Sequence, residues 1–328
     1  LGGIYSNCNE MNIYDKTECP LSVTVLDNYY QTDRYINVFG AIYGSWTQYY
    51  YNYWKFHGYT YGTTLVVQGR GLTCTSDVRC STITLQGESV AVFLGSLIGA
   101  VTTSQSTYIS ALAGDFTATA GKHSVTFGPN YNGGTATITL SGTTELNLFG
   151  YNVTTDPYGD IDLNLGSSSI LNNYSKVKFR FVTNCAGTVN NYGYMMMNYN
   201  NAGVPLTGTF NNVGTLDLVR GGHGENATYT PAFVVSTGTL IVDGGTIVCS
   251  LADSKSGLIR KTASGGKVVL KGQAYLKAAN GLAPLQILSN TGTAQDILDF
   301  SMIGNGASGY RLADTFSDTT YGTAYALS

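Results

Sequence analysis

The chain has 328 residues, with 17 Lys and Arg against 20 Asp and Glu, a formal charge of −3 and only 11% charged residues. With no basic tract, that balance gives no electrostatic footing for nucleic-acid binding. A hydrophobic content of 43% with six Pro excludes a Pro-rich disordered linker. Its 41 Gly and 25 Tyr, together with plentiful Thr, Val and Ile and few helix formers, predict an all-β chain. The length suits one large domain or two. A start at Leu1 rather than Met is expected of a processed product or of a segment of a longer protein.

Residues 1–115 hold four of the six cysteines, both Trp and a dense aromatic tract, and read as an attachment or capping domain. Cys8 with Cys19, and Cys74 with Cys80, are near enough in sequence for local disulfides in an oxidising compartment. No CxxC pair occurs and only three His are present, so the chain predicts no metal site and no cofactor. The tract at residues 43–61 (YGSWTQYYYNYWKFHGYTY) combines flat apolar rings with polar tips. Such rings stack on sugars, and they also line subunit interfaces and domain cores. Trp46, Tyr50, Trp54 and Tyr59 are therefore candidate ligand-binding residues. The apolar run at 90–101 (VAVFLGSLIGAV) is too short and too Gly-interrupted to span a membrane. It reads as core, either one short helix or two buried strands.

Beyond Gly114 a phrase recurs: Gly, a polar residue or two, then alternating apolar residues. It appears as GTTELNLFG at 142–150, GDIDLNLG at 159–166, GTLDLVRGG at 214–222, GTLIVDGG at 238–245 and GGKVVLKG at 265–272. Period-two alternation puts Ile161, Leu163 and Leu165 on one face and Asp160, Asp162 and Asn164 on the other. Val177, Phe179 and Phe181 are expected inward, with Lys176, Lys178 and Arg180 outward. Leu216, Leu240, Val268 and Leu298 recur at 24, 28 and 30 residues. They are expected to stack in one core, with Asp217, Ile241, Val269 and Asp299 pointing out. Intervals of 20–30 residues carrying two or three strands suit a coil of a right-handed parallel β-helix or related β-solenoid. The earlier intervals of 15 and 16 residues (Leu146 to Ile161 to Val177) suit an antiparallel β-sandwich or jelly roll equally well. Asn pairs at 172–173, 190–191 and 211–212 read as turn residues.

In pattern, residues 116–328, through GTLDLVRGG, GTLIVDGGTIV and GGKVVLKGQAYLKAANG, resemble the β-helical shafts of bacteriophage tail fibres and tailspikes. Bacterial adhesins and secreted polysaccharide lyases share that pattern. The resemblance implies a homotrimeric virion protein exposed to the outside.

Candidate chemistry is sparse. Asp160 and Asp162 project about 7 Å apart on one strand face, within the roughly 5–9 Å that paired glycosidase carboxylates need. Outward polar residues are also what any solenoid strand carries. The polar excursion at 219–231 (VRGGHGENATYTP) brings together Arg220, His223 and Glu225, which suit an anionic sugar. Sequons at Asn152, Asn173 and Asn226 bear on glycosylation only in a eukaryotic setting.

These observations support a structural and binding subunit of an extracellular fibre or virion, on a virion or cell surface. Its expected partners are copies of itself, a cell-surface glycan or receptor, and other particle or surface proteins. Copies would cover outward apolar residues such as Val219, Ile241 and Val269. Two alternatives stand beside this: a polysaccharide depolymerase on the same scaffold, and a self-assembling surface-layer adhesin.

Overall fold

The structure is a computed structural model describing residues 10–13, 17–23, 34–39, 42–48, 52–68, 70–127, 136–149, 161–199, 204–220, 233–235, 237–249, 259–261, 267–271, 274–278, 312–318 and 322–327. Among these residues every regular element is a strand. Most strands pair in parallel with a partner two or three strands along the chain, and the long corner-turning strands between Val78 and Leu148 also pair in parallel with the next one. Asn52–Phe56, for example, pairs with Gly71–Cys74 and skips Thr60–Val67. That pattern requires the chain to wind round and return, and it is the parallel β-solenoid. Sandwich strands would pair antiparallel through hairpins. The antiparallel pairs described lie at the C-terminal end, where Gly322–Leu327 meets Leu312–Asp318 and Ala274–Ala278.

The chain divides into two compact units, Leu1–Tyr151 and Asn152–Ser328. The parallel ladder runs straight through residue 115, because Phe116–Phe127 pairs with both Ala91–Thr103 and Thr107–Ala113. The compositional change there is a change of side chains within one architecture.

In the first unit, period two sends Trp54 and Phe56 of the strand NYWKF inward, and both are buried. Register then builds two interior columns. One stacks Trp54, Leu72, Ala91, Thr107, His123 and Leu146; the other stacks Phe56, Cys74, Phe93, Ile109, Val125 and Leu148. All twelve side chains are buried. Burying each large apolar member stabilises the unit by about 1.5–3 kcal/mol relative to exposure. The apolar run at 90–101 is neither a helix nor two strands. It is one 13-residue strand, Ala91–Thr103, that turns a coil corner at Gly99. There φ is +140°, and a Cβ would lie 1.7 Å from the Cys80 carbonyl oxygen, so only glycine fits. Gly114 repeats the device against Gly99.

His123 is fully buried in the first column. Its Nε2 lies 3.0 Å from the Ala120 carbonyl oxygen and its Nδ1 3.0 Å from the Thr107 hydroxyl. A carbonyl only accepts, so Nε2 carries the proton, and the Thr107 hydroxyl donates to Nδ1. Desolvation by burial lowers the imidazole pKa to about 4, against a smaller upward pull from the Ala120 carbonyl.

In the second unit, Ile161, Leu163, Leu165, Val177 and Phe179 are buried as alternation expects. A register shift between Ile161 and Asp162 then brings Val182 inward. The expected single stack of Leu216, Leu240 and Val268 divides in two. Leu240 lies between Phe210 and Val268 in a column that begins Leu171, Val189. Leu216 belongs to the neighbouring column, between Met195 and Ile247. Leu298 and Asp299 lie outside the described residues.

The asparagine pairs end strands and form ladders. Asn173, Asn191 and Asn212 are fully buried. Nδ2 of Asn173 donates to Oδ1 of Asn191 at 2.8 Å, and Nδ2 of Asn191 to Oδ1 of Asn212 at 2.7 Å. Nδ2 of each also reaches a carbonyl: Ser175 at 3.0 Å, Thr215 at 2.9 Å and Thr246 at 3.0 Å respectively. The adjacent Asn172, Asn190 and Asn211 form a second ladder running the other way, Asn211 to Asn190 to Asn172, at 2.8 Å each. A buried amide is tolerable only when it is satisfied, and a repeat in register satisfies each one with the next. Burial also removes the Asn173 sequon as an acceptor in the folded chain; Asn152 and Asn226 lie outside the described residues.

Candidate functional site

Trp54 is a core residue, 2% exposed, and not a ligand-facing ring. Tyr59, from the same aromatic tract, is on the surface and 52% exposed. Period two explains both: Thr60 of Thr60–Val67 points inward and is buried, so Tyr59 and Tyr61 flank it outward. The Tyr59 and Tyr61 rings lie 6.1 Å apart at 41°. Tyr61 stands directly beside Arg79 in the next coil, and Arg79 beside Ile98. The exposed Arg79 guanidinium sits 5.9 Å from the Tyr61 ring centroid. Tyr59, Tyr61 and Arg79 thus lie along one aromatic and cationic surface on two neighbouring strands and the residue that precedes one of them. Two residues before Tyr59, His57 stacks with Phe39 of the neighbouring strand end at 4.3 Å and 7°, with His57 Nε2 3.3 Å from Asn37 Oδ1. Desolvation, then the Lys55 charge, lowers the His57 pKa.

The second unit carries its own aromatic stripe. Tyr174 and Tyr192 stack at 5.0 Å and 9°, and both are about half exposed, as is Val213 at the equivalent place one coil on. Nearby, the Lys176 ammonium lies 5.2 Å from the Tyr194 ring centroid. None of these was singled out from sequence, yet a signal was there. Asn-Asn-Tyr at 172–174, Asn-Asn-Tyr at 190–192 and Asn-Asn-Val at 211–213 mark the same corner of successive coils.

Asp217 was expected outward and wet. It has outward parity, but it is fully buried, and its Oδ2 accepts a hydrogen bond from the Tyr194 hydroxyl. Its coil neighbour Val248 is likewise buried on the outer side of its strand. Alternation therefore tells which side of a strand a residue takes, and not whether that side is covered.

Of the paired carboxylates, Asp160 lies outside the described residues, and Asp162 sits half-buried on Ile161–Leu165. Cys8, Tyr50, His223 and Glu225 also lie outside, as do the side chains of Cys19, Trp46 and Arg220. Arg220 ends a strand, Thr215–Arg220, whose backbone pairs with Tyr194–Tyr199. Cys74 and Cys80 are buried free thiols, with no disulfide between them, and Cys185 is a third. Burial pushes the Cys74 thiol up, with the neighbouring Cys80 adding to it; burial raises Cys80 to about 11 and Cys185 to about 12. Buried and protonated, they are core residues without nucleophilic character. Among the described residues no group of three His, Cys, Asp or Glu is placed to hold a metal ion. No helix among them is long and apolar enough to cross a membrane.

Comparison with protein-family models, with curated proteins and with solved structures finds no match to this chain in any of the three.

Proposed function

We propose that this chain is a structural and binding subunit of an extracellular fibre or virion, of the bacteriophage tail-fibre kind. In this reading it associates with copies of itself as a homotrimer, and residues 1–115 serve attachment to the larger particle. The surface it displays binds a cell-surface glycan.

The observation that carries the reading is the set of surface rings at the strand ends of a filled solenoid: half-exposed Tyr59 beside Tyr61, and Tyr174 on Tyr192. Solenoid interiors here are occupied by side-chain columns, so recognition falls to the outer faces. Rings packed against one another at strand ends have less side-chain freedom to lose on binding than isolated ones. Tyrosine offers a flat apolar face and a hydroxyl, the combination that suits a sugar ring. Ile241, half-buried on the outer side of Thr239–Asp243, supplies apolar surface for a second copy.

Two measurements test this reading. Light scattering on the eluting protein is expected to give a trimer mass. Screening against immobilised bacterial and host glycans is expected to give binding that Tyr59→Ala weakens. A monomer that binds no glycan would overturn the proposal.

A further inference from the structure

We infer that the face carrying Tyr59, Tyr61 and Arg79 selects sugars that bear a carboxylate, as uronic and sialic acids do. This rests on the glycan-binding reading and names the class of glycan.

The geometry around Arg79 supports it. Tyr61 lies on one side of Arg79 along the ladder and Ile98 on the other, so its apolar stem is flanked while the guanidinium stays exposed. The guanidinium lies over the Tyr61 ring, a cation–π contact that favours this position and occupies none of its N–H groups. Among the described residues no carboxylate pairs with it. The acid nearest in sequence, Asp77, spends its Oδ1 on the Ser96 backbone N–H at 2.9 Å. A guanidinium fork matches a carboxylate with two parallel hydrogen bonds, which an ammonium cannot do. Tyr59 stands on Tyr61, the ring that the fork also meets, tilted at 41° with half its surface open to a sugar ring. One patch therefore offers a stacking face and an anion fork.

Charge decides that this recognition is local. The chain carries a net −3, so an acidic polymer meets weak repulsion at long range, screened within about 8 Å at physiological salt. Attraction must come from the fork itself at contact distance.

The test is calorimetric titration of the full chain with α-2,8-linked oligosialic acid and oligogalacturonate, and with neutral dextran oligomers of equal length. The carboxylated oligomers are expected to bind and dextran to bind at least about tenfold more weakly, the range of one charge-assisted hydrogen-bonded contact. Arg79→Ala should remove that preference, Arg79→Lys should restore it only in part, and Tyr59→Ala should weaken all sugars alike. Unchanged thermal unfolding of each variant keeps the comparison to binding. Equal binding of neutral and carboxylated oligomers, or a preference that survives Arg79→Ala, overturns this inference and leaves the glycan reading standing. No binding to any glycan in a broad screen overturns both.

Discussion

In the first unit the two columns that start at Trp54 and Phe56 are apolar except where Thr107 meets His123; in the second an entire inward position is asparagine for three coils. Both devices bury polar groups without leaving them unsatisfied, and they do so differently. The His–Thr pair is completed locally, the Thr107 hydroxyl donating to Nδ1 and Nε2 to the Ala120 carbonyl, with Leu146 resuming the apolar column on the next coil. The ladder is open: every Asn amide depends on the coil beyond it, until Asn212 turns to the Gly214 and Thr246 carbonyls and Val242 takes over the position. A closed pair localises vulnerability to one imidazole. A ladder spreads it across coils.

If the two units share one packing physics beneath these devices, Phe116→Ala in the first and Phe210→Ala in the second should cost the same, about 4 kcal/mol each. Both rings are fully buried. Urea unfolding, with hydrogen exchange to assign each loss to its unit, checks this; a cost below about 1 kcal/mol at either site would break the equivalence.

Acid should then separate the units. In the folded chain His123 stays neutral down to about pH 4, whereas an unfolded histidine takes its proton near 6.5. Its contribution is complete above pH 6.5, falls as pH drops toward 4, and changes no further below that, a loss of about 3 kcal/mol. Hydrogen exchange at pH 4.5 should show lost protection in Thr107–Ala113 and Phe116–Phe127, with Thr188–Asn191 spared. His123→Leu should flatten the pH dependence assigned to those strands.

Asn191→Ala should act only on the second unit, at a cost of about 2.5 kcal/mol, because it strips partners from both Asn173 and Asn212. The diagnostic is spread: exchange should quicken in both flanking strands, Ile170–Asn173 and Thr209–Asn212. Acceleration confined to the mutated strand would mean that the ladder does not couple coils. The smallest effect is on the surface, where Tyr192→Ala should cost about 1 kcal/mol by unstacking Tyr174. A larger loss on thermal unfolding would show that this stripe supports the second unit rather than decorating it.

Much of the fold was legible because alternation and glycine spacing are written locally. DIDLNL states its own faces, and Leu163 and Leu165 are buried accordingly. Which coil lies on which is a different kind of information. Leu216 and Leu240 carry the same inward parity and similar neighbours, and nothing local says that one joins Met195 and the other Phe210. The first 115 residues hid their solenoid because the glycine phrase is missing there, although NYWKF already sends Trp54 and Phe56 to one side. Density of aromatics alone does not tell a ligand surface from a subunit interface or a core; parity sends Trp54 in and leaves Tyr59 out. Arg79 was illegible for the opposite reason, since its meaning comes from lying across the ladder from Tyr61, eighteen residues earlier in the chain.

The second unit holds register while its coils lengthen. Thr188 stands beside Thr209, and Thr209 beside Thr239, so one step consumes 21 residues and the next 30. Most of the added sequence falls between strand ends, from Arg220 to Phe233, the following step from Thr239 to Lys267 has its own long connection from Cys249 to Ile259, and the columns on either side stay aligned. Length can therefore accumulate or disappear at those connections without a compensating change in the interior. For a lineage pressed to meet changing surfaces, such an arrangement uncouples inheritance of the scaffold from variation in what it exhibits.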